Sequence, residues 1–137
     1  MLDHLGLTVL DFERSLAFFD QCLGAVGIKR LMTLIPGQYP GHNRVAGYGQ
    51  KRPQFWIGER GASFWTPDHR PAASPIHVAF MVESRQLVHE FYQAAMAAGG
   101  TDFGAPEVRA HYHPNYYGGF VLDPDGNNIE AVCHDPA

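Results

Sequence analysis

Apolar residues alternate with small or polar ones almost from the start of the chain. Leu5, Leu7 and Val9 fall on one side of a strand and His4, Gly6 and Thr8 on the other, because successive strand side chains project to opposite faces. The period then changes. Phe12, Leu16, Phe19 and Leu23 recur at helical spacing, and Gly27 supplies a helix stop. The same order of periods returns later. Val78, Phe80 and Val82 alternate with His77, Ala79 and Met81, and Leu87, Phe91, Ala94, Ala95 and Ala98 form a second helical stripe that runs into Gly99 and Gly100.

The two stretches are copies. His4 matches His77, Val9 matches Val82, Phe19 matches Tyr92 and Gly27 matches Gly100, at one constant offset without a gap. After each helix the pattern predicts three strands. In the first copy they lie near Lys29–Leu34, Arg44–Gly49 and Gln54–Gly58; in the second, near Val108–Tyr112, Tyr117–Leu122 and Asn128–Cys133. Asp123-Pro124-Asp125-Gly126 suits a type I turn joining the last two strands. The expected fold is a single α+β domain of two βαβββ modules, at about residues 1–59 and 75–134, with a linker over residues 60–74. A proline-rich loop over residues 37–41 lies near the mouth of the first copy. The modules form a cupped, incompletely closed mixed sheet with the helices on its outer face. Each helix covers the aliphatic side of its own sheet, which leaves the histidines on the helix-free side.

Composition narrows the function classes. A chain of 137 residues suffices for one domain with a real core, and 45% hydrophobic with 18% charged residues is ordinary globular composition. The net charge is −4 and the ten basic residues are scattered, so no stripe exists for a nucleic-acid backbone. No apolar run reaches the length of a membrane span. Strand-like alternation near Leu2, instead of a signal-peptide pattern, and two cysteines in no CxxC spacing (Cys22 and Cys133) point to a reducing, cytoplasmic setting. Eight histidines turn attention to chemistry.

Three residues carry that chemistry. Glu130 sits between Ile129 and Ala131, so it shares a strand with core residues yet faces away from them. A carboxylate in such a place is costly unless paired or coordinated. His4 and His77 occupy equivalent places in the two copies and lie on the same helix-free side. Two imidazoles and a carboxylate suit iron, manganese or zinc. In His111-Tyr112-His113, the two histidines share a face if the strand extends that far and can act as acid or base, with Tyr117 beside them. Trp56, Tyr48, Tyr116 and Phe120 are candidates to line a substrate site, although core packing accounts for aromatic residues equally well. His42, His69 and His134 read as solvated, and His89 as exposed on its helix.

The paired βαβββ repeat, the histidine opening each module and the run Asp123-Pro-Asp-Gly-Asn-Asn-Ile-Glu130 resemble the vicinal oxygen chelate superfamily. That superfamily includes glyoxalase I, extradiol dioxygenases, methylmalonyl-CoA epimerase and the fosfomycin and bleomycin resistance proteins. The resemblance implies one divalent ion (iron, zinc, nickel or manganese) on His4, His77 and Glu130, a small-molecule substrate bound through vicinal oxygens, and a homodimer. It also implies a fourth ligand in the last strand of the first module. Here the chain departs from the pattern, because alignment of that strand sets Trp56 opposite Glu130. The resulting set of three favours an extradiol-dioxygenase-like enzyme over a glyoxalase-like lyase or isomerase. The dioxygenase signature resembles a tyrosine ten residues before the glutamate, where this chain has Phe120. The alternative is a metal-free small-molecule binder similar to bleomycin resistance proteins.

Overall fold

The computed structural model describes residues 1–38, 43–59 and 76–136. The expected linker, most of the loop at 37–41, His42 and His69 lie outside the described residues. Strand β1 (Leu5–Val9) leads into helix α1 (Phe12–Gly24), followed by β2 (Lys29–Leu34), β3 (Val45–Gly49) and β4 (Phe55–Glu59). The second module repeats this order as β5 (His77–Met81), α2 (Arg85–Ala97), β6 (Thr101–Val108), β7 (Tyr117–Leu122) and β8 (Asn128–Cys133). Each module is a four-stranded mixed sheet, ordered β1-β4-β3-β2 and β5-β8-β7-β6, with its first and last strands parallel. This is the α+β, two-module architecture that the repeat predicts.

The repeat extends to the caps. The Asp11 side chain accepts the amide of Arg14, and the Ser84 hydroxyl accepts that of Leu87, so each helix begins on an N-cap at matching positions of the two copies. Both helices end on glycines with positive φ, Gly27 at 77° and Gly99 at 93°, where a residue with a Cβ would be strained. At the far end of the second module the Gly126 amide bonds the Asp123 carbonyl at 3.0 Å, which closes the expected turn. The same turn holds more distant parts. Asn127 Oδ1 accepts the Ile76 amide, and Asp125 Oδ2 accepts the Leu10 amide from the first module.

The modules meet through their helix-covered sides. Helices α1 and α2 pack together, and Phe55 of β4 meets Phe80 of β5 edge-on at 5.4 Å. Besides the predicted stripe, α1 buries a second row of Ser15, Phe18 and Cys22. Phe18 lies against the Gly100 corner, where an added Cβ would come within 2.9 Å of its ring. One apolar core results, with Phe18, Phe19, Leu23, Ile57, Phe91 and Ile129 fully buried. The helix-free sides are therefore not brought face to face within one chain.

One strand departs from the expected boundaries. The strand predicted at Val108–Tyr112 is instead β6, which starts directly after the helix at Thr101 and ends at Val108. Gly104 and Pro106 interrupt the alternation that would have marked it. They are tolerated because β6 is an edge strand whose pairing with β7 is broken twice by bulges. Residues 109–115 form turns, so His111 and His113 do not share a strand face.

Candidate functional site

Glu130 is the only fully buried acidic residue among those described, and it lies on the helix-free side of β8. Register places it there. Ala79 and Phe120 are its ladder partners, while its neighbours Ile129 and Ala131 belong to the core. His77, two residues before Ala79, projects to the same side. Its Nε2 donates to Glu130 Oε2 at 2.9 Å, and its side chain remains 51% exposed. The Tyr116 hydroxyl donates to the other oxygen, Oε1, at 2.6 Å. Burial and the Glu130 carboxylate both push the Tyr116 phenol pKa upward, so it stays protonated and acts as donor. Phe120 packs beside His77 with ring centroids 6.1 Å apart, and the Arg109 guanidinium lies over the opposite end of this wall, 5.2 Å from the Phe120 centroid. Glu130 has no Lys or Arg partner among the described residues. A buried carboxylate balanced only by an imidazole and a phenol is a cation-seeking group.

His4 does not join this pair. It precedes β1, has a side chain 62% exposed, and bonds Asp3 at 2.8 Å, while Asp3 also pairs with Arg52. These contacts hold the Asp3 carboxyl below the usual carboxylate range. Among the described residues no three His, Cys, Asp or Glu side chains gather closely enough to hold a metal ion. Within one chain, then, His4 stands apart from His77 and Glu130. His77 and Glu130 fit as two donors, and alternation puts His4 on the helix-free side of the other module.

The remaining candidates divide between the two sides of the sheets. Tyr117 points to the helix side, where its hydroxyl meets His89 Nε2 at 2.7 Å and Arg85 covers its ring, so it does not act beside Glu130. Its neighbour Tyr116 takes that place, since adjacent strand residues face opposite ways. His89 is correspondingly a partner of Tyr117 and not a free surface group. Tyr48 is also on the helix side, fully buried, and donates to Asp20 at 3.1 Å; it is a core residue and not a substrate contact. Trp56 lies on the helix-free side, its indole against Gly47.

His113 stands next to the site through Tyr116, at 5.4 Å between rings, and His111 lies one aromatic neighbour further out, its ring tilted against that of Tyr112. His113 Nδ1 accepts the Asn115 amide, so its Nε2 carries the proton that faces His134 Nδ1 at 2.7 Å. His134 is exposed, in keeping with its reading from sequence as solvated, and it also joins the aromatic string around Tyr116. Only its position directly after β8 hinted at this. A groove of about 470 Å³ runs between the modules past Val26, Ile28, Met81 and Leu87; His134 also lines it, whereas His77 and Glu130 do not.

The sequence profile of the Glyoxalase/Bleomycin resistance protein/Dioxygenase superfamily matches residues 1–131. The chain belongs to this superfamily. Its fold is similar to a glyoxalase/bleomycin resistance protein of Albidiferax ferrireducens T118, at 25% identity and TM-score 0.71, over 98% of this chain and 99% of that one. It is likewise similar to a glyoxalase/bleomycin resistance protein/dioxygenase family enzyme of Burkholderia phytofirmans PsJN, at 18% identity and TM-score 0.70, over 97% and 98% of the two chains. A glyoxalase I mutant from Zea mays aligns over 96% of this chain but 45% of its own, at 20% identity and TM-score 0.65. The last two likenesses establish the fold alone. Among proteins of curated function, none matches this sequence. The superfamily binds small molecules and commonly uses a divalent metal. No helix among the described residues is long and apolar enough to cross a membrane.

Proposed function

We propose that the protein is a metal-dependent enzyme acting on a small substrate with vicinal oxygens, and that its site is completed in a homodimer. The observation that carries this reading is Glu130, fully buried without Lys or Arg and facing His77 across 2.9 Å on an otherwise open side of the sheet. In the dimer, His77 and Glu130 of one protomer meet His4 of its partner. The open sides support such pairing. Among the described residues β1 and β5 are unpaired on their outer edges, and Met81 on the helix-free side of β5 is 78% exposed. A bound divalent ion supplies Lewis-acid or redox chemistry to the chelated oxygens. The chain's own residues do the rest: Phe120 and Trp56 offer apolar walls, Tyr116 fixes the carboxylate, and His113 holds a proton on Nε2 next to Tyr116. With only three ligands, the site is closer to the two-histidine, one-carboxylate pattern of iron dioxygenases than to the four-ligand pattern of glyoxalase I. The two unpaired, buried cysteines fit a cytoplasmic setting.

Metal analysis of untagged protein, reading both content and identity, tests this function. Near-stoichiometric metal that is lost in His77→Ala and Glu130→Gln is expected; protein that stays metal-free after reconstitution refutes it. Subunit sharing has its own test. When His4→Ala and His77→Ala chains are refolded together, half the dimers are mixed and each has one intact site, so about a quarter of the wild-type metal returns. No recovery would place all ligands in one chain.

Trp56 favours a second reading. An indole at the place equivalent to Glu130 suits capture of a flat apolar ligand without metal, and binding that survives Glu130→Gln would support that alternative.

A further inference from the structure

The Tyr116 hydroxyl reaches Glu130 Oε1 at 2.6 Å, while Oε2 lies beside His77. Three features fix the tyrosine in place. Its amide bonds the His113 carbonyl and its carbonyl accepts the Arg109 amide at 2.7 Å, so the turn before β7 is tied down on both sides. Its ring packs against Tyr112, His113 and His134, at centroid distances of 4.8, 5.4 and 5.2 Å. Finally, residue 118 is glycine. A Cβ there would lie 2.8 Å from Glu130 Oε1 and 3.1 Å from Tyr116 Cε1, so any larger residue would intrude on the bond. The strand thus keeps a gap that serves one contact between a phenol and a carboxylate.

We propose that Tyr116 is a positioning residue that engages Oε1 of Glu130, so that the carboxylate presents Oε2 alone as a one-oxygen donor beside His77. This rests on the metal-site reading above and adds to it how the carboxylate binds. A carboxylate free at both oxygens can take a divalent ion through both; one whose Oε1 accepts a charge-assisted bond from a fixed phenol keeps a single donor and a defined direction. Phe120 has no hydroxyl to do this, and Tyr117 faces the other side of the sheet, so the role falls to Tyr116.

The test uses Co²⁺ as probe on the full-length metal-free protein, comparing wild type with Tyr116→Phe. The variant keeps the ring and its packing, and a thermal melt checks its fold. Tyr116→Phe is expected to bind Co²⁺ about tenfold more weakly, as loss of an outer partner does. Its visible d–d bands should also weaken, because a two-oxygen carboxylate raises the coordination number. Gly118→Ala, which pushes into the same bond, should shift the bands in the same direction. Unchanged affinity and unchanged bands in both variants would overturn the role of Tyr116 while leaving the metal site standing. Absence of Co²⁺ binding in the wild type would overturn the metal-site reading and this inference with it.

Discussion

Trp56 holds in the first sheet the ladder position that Glu130 holds in the second: Trp56 pairs with Gly6 of β1, and Glu130 pairs with Ala79 of β5. Gly6 and Ala79 each stand two residues after the histidine that opens a module. One copy of the repeat therefore offers a carboxylate on its helix-free side, and the other an indole. In the proposed metal site, this pair sets how many ligands are on offer and what kind of surface faces the substrate.

Replacing that indole by a carboxylate reads out whether the two positions face one site. Trp56→Glu is expected to tighten Co²⁺ binding about tenfold or more, 1.4 kcal/mol being a modest contribution from one added carboxylate. Calorimetry of the metal-free protein measures it. Unchanged affinity would mean that Trp56 and Glu130 serve separate surfaces.

Gly118→Ala should cost stability as well as metal geometry. The new methyl meets Glu130 Oε1 and Tyr116 in a buried strand, and overpacking of this kind costs about 1–3 kcal/mol. At about 4 °C per kcal/mol for a domain of this size, the Tm should fall by several degrees. A melt superimposable on that of the wild type would mean that β7 yields without strain.

Tyr48→Phe separates a core role from a substrate role. Asp20 keeps its 3.2 Å pair with Arg30, so the variant should lose only the phenol's hydrogen bond, about 1 kcal/mol, and should keep its metal and its activity. The pH dependence has a definite sign. Burial raises the Tyr48 pKa above the ordinary tyrosine value of 10.0, so its contribution is complete below that pH. As the pH rises above 10.0 the unfolded chain ionises while the folded one does not, and about 1.4 kcal/mol of stability is lost per pH unit. Denaturant titrations of both proteins should therefore converge in the alkaline range. A loss of activity in Tyr48→Phe would return Tyr48 to the substrate site.

Thiol labelling checks the core. Cys22 is fully buried and burial pushes its thiol pKa far upward, so the thiolate that reacts is absent from the native protein. A disulfide reagent at mildly alkaline pH should leave Cys22 unmodified until denaturant is added, after which both cysteines react. Rapid modification of native Cys22 would contradict the tight contact between the two helices.

Much of this protein follows from its sequence alone. Two modules, the glycines that end their helices, the Asp123–Gly126 turn, the side of each sheet taken by His77 and Glu130, and the equivalence of Trp56 with Glu130 all rest on period, turn chemistry and repeat offset. These are local properties, set by side-chain alternation and by which residues tolerate which backbone angles. Strand β6 escaped because an edge strand with bulges accepts Gly104 and Pro106, which break the pattern being read. Tyr117 was misplaced because one residue of register exchanges the two sides of a sheet, and β7 begins at the very position where that choice is made. The sides on which the modules meet were decided by tertiary structure. Ser15, Phe18 and Cys22 add a second buried row to α1, and Phe55 finds Phe80 only when the helix-covered sides come together. That long-range packing sets His4 apart from His77 and Glu130 within a chain, and places Tyr116 on the carboxylate. No periodicity encodes either outcome, because each depends on which apolar surfaces close against one another.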